Sequence, residues 1–107
     1  MDWITGIQRA LDYTEAHLTE EIDYEEVAKQ ACSSSFHSQR MFGMLLGLTL
    51  GDYIRMRRLT LAACDLQQTG GKVIDIAMKY GYDTPESFSR AFARFHHISP
   101  TEARHGG

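Results

Sequence analysis

The chain has 107 residues with 43% hydrophobic side chains, enough for one modest core, and no apolar run nears the ~20 residues that cross a bilayer, so no membrane partner is expected. Its formal net charge of −3 excludes a uniformly basic surface. The charge is uneven, however: residues 1–31 set eight carboxylates against Arg9 and Lys29, while residues 32–107 set nine Lys and Arg against six carboxylates, so the local face governs what can bind.

Cys32 and Cys64 are too few for a disulfide framework, and the first residues lack the basic and apolar regions of a secretory signal, which places the chain in the cytoplasm with reduced thiols. Strand signals are scarce, with no long alternating run and no Asn-Gly or Asp-Gly hairpin, so the fold class is all-α. Residues 3–18 form the first helix, with Ile4, Ile7, Leu11, Ala16 and Leu18 on its apolar side. Asp23 caps a short second helix over 24–31, and Glu26 stands at the capping-box position. Cys32, Ser33 and Ser34 make a turn. A third helix covers 35–46 until Gly47 stops it. Thr49, with Asp52 three residues on, opens the longest helix, 51–67. There Ile54, Leu59, Ala62, Ala63 and Leu66 recur at helical spacing, and Arg55, Arg57 and Arg58 fall on the more exposed side. Thr69, Gly70 and Gly71 break it. A short helix over 73–80, a turn at Gly81, and a Thr84 cap with Pro85 at the first helical position follow, and that sixth helix reaches His96. Ser99, Pro100 and Glu102 combine a cap, a first-position proline and a capping-box acid, and they start a seventh helix.

One pattern occurs twice. Residues 27–42 and 76–92 each hold an aliphatic–alanine pair (Val27 and Ala28; Ile76 and Ala77), then a small residue four positions after the alanine (Cys32; Gly81). A polar helix start and an Arg-x-Phe triplet (Arg40 and Phe42; Arg90 and Phe92) complete each copy. That order is what a helix-turn-helix needs: a packed first helix, a tight turn and a second helix with a polar outward tip. The chain is thus read as one domain, 1–107, with two helix-turn-helix subdomains over about 3–48 and 73–105, joined by the linker helix over 51–67. Ala28 and Ala77 let helices cross closely. Gly81 takes the left-handed conformation at no steric cost, for which Cys32 is less suited.

Phe36, Met41, Phe42, Phe88, Ala91, Phe92 and Phe95 are expected to anchor the second helix of each copy. His37, Ser38, Gln39 and Arg40, and in the second copy Glu86, Ser87, Ser89, Arg90 and Arg94, are expected to face outward. Arginine pairs with a guanine edge and glutamine with adenine, while serines at helix starts meet phosphates. Phe36 serves either the core or a base or sugar. Glu86 either accepts from cytosine N4 or complements the helix dipole. Two such heads point to double-stranded DNA, entered at successive major-groove segments ~34 Å apart, with bending that costs on the order of a few kcal/mol. Among Leu45, Leu46 and Leu48, one or two are expected in the core, and the surplus, with Met44, is free to dock another domain or subunit.

These residues resemble the AraC/XylS family of bacterial transcription regulators, over about residues 4–104. The most specific match runs from Ile74 through Gly81 and Tyr82 to Phe88, Arg90 and Phe92, then to Ser99, Pro100 and Arg104. Tyr53, Ile54, Arg55, Arg57, Arg58 and Leu59 match the family's linker helix. The resemblance implies seven helices, two helix-turn-helix subdomains and asymmetric operator sites. It implies DNA contacts by Phe36, Gln39 and Arg40 from the first recognition helix and by Glu86, Ser87, Ser89 and Arg90 from the second. It further implies RNA polymerase as a protein partner and no cofactor. Because the unit begins almost at Met1, the chain resembles the subgroup with an N-terminal DNA-binding unit, in which a GyrI-like effector-binding domain lies C-terminal to it and outside this chain; the alternative is a natural single-domain regulator. Where many relatives carry charge after the Phe of the first copy, this chain has Met44, Leu45 and Leu46.

Two other classes compete. An enzyme lacks any Ser/His/Asp or Cys/His pairing, phosphate loop or paired carboxylates, and His96 and His97 have no partner ligands at close spacing, so neither catalysis nor a metal is expected. The alternative is a helical protein-interaction module that keeps the fold without binding DNA, a reading the acidic first helix favours.

Overall fold

The computed structural model describes residues 3–32 and 35–106, with the side chains of Trp3, Ser35 and Phe36 outside that description. The described residues form seven helices and no strand: α1 (Trp3–Ala16), α2 (Tyr24–Gln30), α3 (Ser35–Leu46), α4 (Leu50–Gln68), α5 (Val73–Lys79), α6 (Pro85–His96) and α7 (Pro100–Gly106). No described helix is long and apolar enough to cross a membrane.

Local chemistry sets the ends. The Asp23 carboxylate accepts from the Glu25 amide at 2.9 Å, while Glu26 turns to Lys29 at 3.1 Å instead of closing a capping box. Thr49 Oγ1 accepts from the Asp52 amide at 3.0 Å, and Thr84 Oγ1 accepts from the Ser87 amide at 3.0 Å. Ser99 and Glu102 form the full reciprocal box. The Ser99 amide donates to Glu102 Oε1 at 2.9 Å, and the Glu102 amide donates to Ser99 Oγ at 3.1 Å. Those bonds hold the Glu102 carboxyl below its ordinary pKa. α1 stops at Ala16, short of Leu18. The His17 ring donates to the Tyr13 carbonyl at 2.7 Å, so the His17 amide goes to Thr14 O instead, at 3.1 Å. The tighter turn carries Leu18 into the core, where it is 3% exposed.

The chain forms two compact units, Met1–Ile54 and Arg55–Gly107. α4 gives its first turn to one and the rest to the other. In the first unit α1 packs on α2 and α2 on α3, around Ile7, Ala10, Leu18, Val27, Ala28, Phe42, Leu50 and Ile54. Gly6 marks a close approach: a Cβ there would sit 2.9 Å from the Ala31 carbonyl oxygen. The Phe42 and Tyr53 rings meet edge to face at 5.5 Å.

Leu59, Ala62, Leu66, Ile76, Ala77, Tyr80, Phe88, Phe92 and Ala103 build the second core. Truncating a fully buried Phe such as Phe88 or Phe92 costs about 3–5 kcal/mol. Polar ties surround that core. His96 Nε2 donates to the Leu59 carbonyl at 2.9 Å. Arg104 Nε donates to the Leu66 carbonyl at 3.1 Å, and its Nη2 donates to the Gly71 carbonyl. Arg104 thereby fills an acceptor that the end of α4 leaves open. Asp65 accepts from Lys79 Nζ and from the Tyr80 hydroxyl, both at 2.8 Å.

Three expectations are corrected. Ser38 is buried rather than outward, at 6% exposure. Phe95, expected as an anchor, is exposed, because Phe88 and Phe92 hold the core-facing line of α6 and Phe95 falls beside it, edge-on to His96. Leu45 and Leu46 stay outside the core with Met44, and Leu48 is half-buried. The cause is length. α2 has 7 residues and α3 has 12, so α3 outruns its partner by roughly 7–8 Å at 1.5 Å per residue.

Candidate nucleic-acid interface

Each unit contains a helix, a left-handed turn and a second helix. The turn residue of the first, Cys32, has φ +57°, and that of the second, Gly81, has φ +89°. The Cys32 amide donates to the Lys29 carbonyl at 3.0 Å. In the second turn Gly81 donates to Met78 O at 3.1 Å and Tyr82 to Ala77 O at 3.0 Å, which closes the end of α5. Ala28 and Ala77, at 1% and 0% exposure, lie on the packed face of the first helix in each copy.

The second helices run in register at an offset of fifty residues. Ser38 and Phe42 match Phe88 and Phe92, and all four are buried. Arg40 matches Arg90, and both are exposed; Gln39 matches Ser89, and both are half-buried. Exposed Met44 matches exposed Arg94. The correspondence continues past the helix ends. Gly47 and His97 both take positive φ, +72° and +67°, and the Thr49–Asp52 cap corresponds to the Ser99–Glu102 cap. α7 is therefore the counterpart of the first turns of α4, a relation that lay in the sequence as matching cap residues but outside the repeated segments.

The predicted outward residues divide between two environments. Arg40, Glu86, Arg90 and Arg94 are exposed along their helices. Ser87 is half-buried, and its hydroxyl donates to the Thr84 carbonyl at 3.0 Å as part of the α6 cap. The Phe36 side chain, a sequence-based candidate, lies outside the described residues. Behind the second turn stand the arginines of α4: a Cβ on Gly81 would lie 3.6 Å from Arg58 Nη1. Burial pushes the Tyr82 hydroxyl above its ordinary pKa, with Arg55 and Arg58 pulling the other way. Cys32 and Cys64 are free and exposed. Among the described residues no three His, Cys, Asp or Glu side chains gather as metal ligands. The His96 ring is held by the Leu59 carbonyl and lies tilted against Phe92, with ring centroids 4.3 Å apart.

A helix-turn-helix domain family matches residues 27–106. The regulatory protein SoxS of Escherichia coli K12 is 40% identical over 99 residues, which is 92% of this chain and 92% of SoxS. The HTH-type transcriptional regulator YbfP of Bacillus subtilis is 36% identical over 95 residues, and the match spans 89% of this chain but only 32% of YbfP. Among solved structures, an AraC-type transcriptional regulator from Chromobacterium violaceum superposes with a TM-score of 0.88 at 26% identity, covering 94% of this chain and 89% of that one. Duplicated turns, matching caps and these relatives converge, and the chain belongs to the AraC-type helix-turn-helix family of DNA-binding transcriptional regulators.

Proposed function

We propose that the protein recognises a promoter sequence by placing α3 and α6 in successive major-groove segments of one duplex, from subdomains over about 3–48 and 73–105 around a linker over 51–67. The first helix contributes Phe36, Gln39 and Arg40, and the second Glu86, Ser87, Ser89 and Arg90. The observation that carries this reading is the exposed arginine at the same place on both second helices, Arg40 and Arg90, each opposite a buried aromatic or small line. A guanidinium so placed can grip guanine O6 and N7 bidentately, while a buried-face anchor fixes its approach. With that role we propose work at the cytoplasmic nucleoid, contact with RNA polymerase and no catalytic step, with regulation by an effector-binding domain outside this chain as one arrangement and a single-domain regulator as the other.

Selection of duplexes from a random pool, followed by gel shifts, tests the reading. Arg40→Ala and Arg90→Ala are each expected to cost ~1–3 kcal/mol and to relax base preference at separate positions. Unchanged affinity in both variants would refute the assigned roles.

A further inference from the structure

The outer half of α3 carries a surface that base contacts by Arg40 leave unused. Met44 is 82% exposed and stands where the second copy has Arg94. With His37, Met41 and Leu45 it lines an open hollow of about 470 Å³. Beside the His37 ring the lining is thioether and aliphatic, with no lysine or arginine to hold a phosphate. Between Arg40 and Met44 lies Gly43, where a Cβ would meet nothing within 4 Å, so the fold itself gives no reason for the missing side chain. Bare backbone there lets a groove wall come close.

We propose that this hollow reads thymine, with Met44 and Met41 receiving the 5-methyl group of a base beyond the Arg40 contact. The inference rests on the proposed entry of α3 into the major groove. Met44 follows Arg40 by one turn on the outward side, about 6 Å along the helix axis. That is about two base-pair steps of ~3.4 Å. The thymine methyl is the apolar feature of the major-groove edge, and it is distinguished by apolar contact. An unbranched, polarisable side chain adapts to it. The two helices then divide the labour: α6 offers a guanidinium at this place, suited to phosphate, and α3 offers a methyl receptor.

The test takes the best duplex from the random pool and replaces the thymines under α3 with deoxyuridine, which removes only the methyl group. Wild-type affinity is expected to fall about 3- to 10-fold. Met44→Ala is expected to lower affinity for the thymine duplex by a similar factor and to erase the difference between thymine and uridine. Its unchanged melting temperature would exclude a folding defect. If uridine costs nothing while Arg40→Ala still weakens binding, the methyl proposal is overturned and DNA recognition by α3 stands. If Met44→Ala leaves both duplexes bound as tightly as the wild type does, Met44 receives no methyl group and the proposal is overturned. If no duplex is bound above background, both the proposal and the recognition it rests on fall.

Discussion

Cys32 and Gly81 occupy the same turn position with different freedom. Glycine takes positive φ without penalty, whereas a side chain there costs about 1–2 kcal/mol. Cys32→Gly is therefore expected to stabilise the protein by about 1 kcal/mol, and Gly81→Ala to destabilise it by about 1–2 kcal/mol, both read from urea unfolding midpoints. At Gly81 the loss is a backbone effect, because the 3.6 Å approach of Arg58 to a new Cβ is ordinary contact. The left-handed turns were legible in the sequence, since a small residue at a fixed distance from a buried alanine leaves the backbone few options. Ser38 was not. Its matching residue Phe88 advertises a core position by its chemistry, while serine at the same place looks like surface until the register of α3 against α2 is known.

At the scale of elements, helix starts were the most readable features, because a cap is decided by neighbours in sequence. Thr84 with Pro85, and Ser99 with Glu102, sit where their side chains announced them. The exposure of Leu45 and Leu46 escaped, since it depends on α3 outlasting a separate, shorter helix. Close contacts between elements escaped likewise. Gly6 faces the Ala31 carbonyl, and Gly6→Ala is expected to push α1 off α2 at a cost of about 1–3 kcal/mol, visible as a lower melting temperature. α4 and α5 are tied by Asp65. Burial raises the Asp65 carboxyl, but hydrogen bonds from Lys79 and Tyr80 and the Lys79 charge outweigh it, so its pKa lies below the ordinary value. A depressed carboxyl stabilises the fold above the unfolded pKa near ~3.9, and that stabilisation is lost as pH falls through the lower folded value. Thermal melts of wild type from pH 6 downward are expected to lose stability below about pH 4. Asp65→Asn should show a smaller acid-dependent loss; an identical profile would mean that this tie does not contribute.

For the molecule as a whole, charge separates along the chain. The acidic first stretch and the net charge of −3 limit how many phosphates can be neutralised. The expected result is a shallow dependence of DNA affinity on salt, with a slope smaller in magnitude than the roughly −10 of a strongly basic repressor, measured by titration at several salt concentrations. A steep slope would mean that far more cations reach the backbone than the paired arginines suggest. The two copies are alike in plan but unlike in residues. Gln39 matches Ser89, Met44 matches Arg94, and His37 matches Ser87. A target site for such a chain is expected to lack dyad symmetry.

Arg104 plugs the carbonyls of Leu66 and Gly71 from a point far later in the chain than either. Until residue 104 has been synthesised and has cleared the ribosomal exit tunnel, those oxygens lack the guanidinium that caps them in the fold. The latter half of the protein thus emerges unlatched, and its final clasp closes only after most of its helices have already left the ribosome.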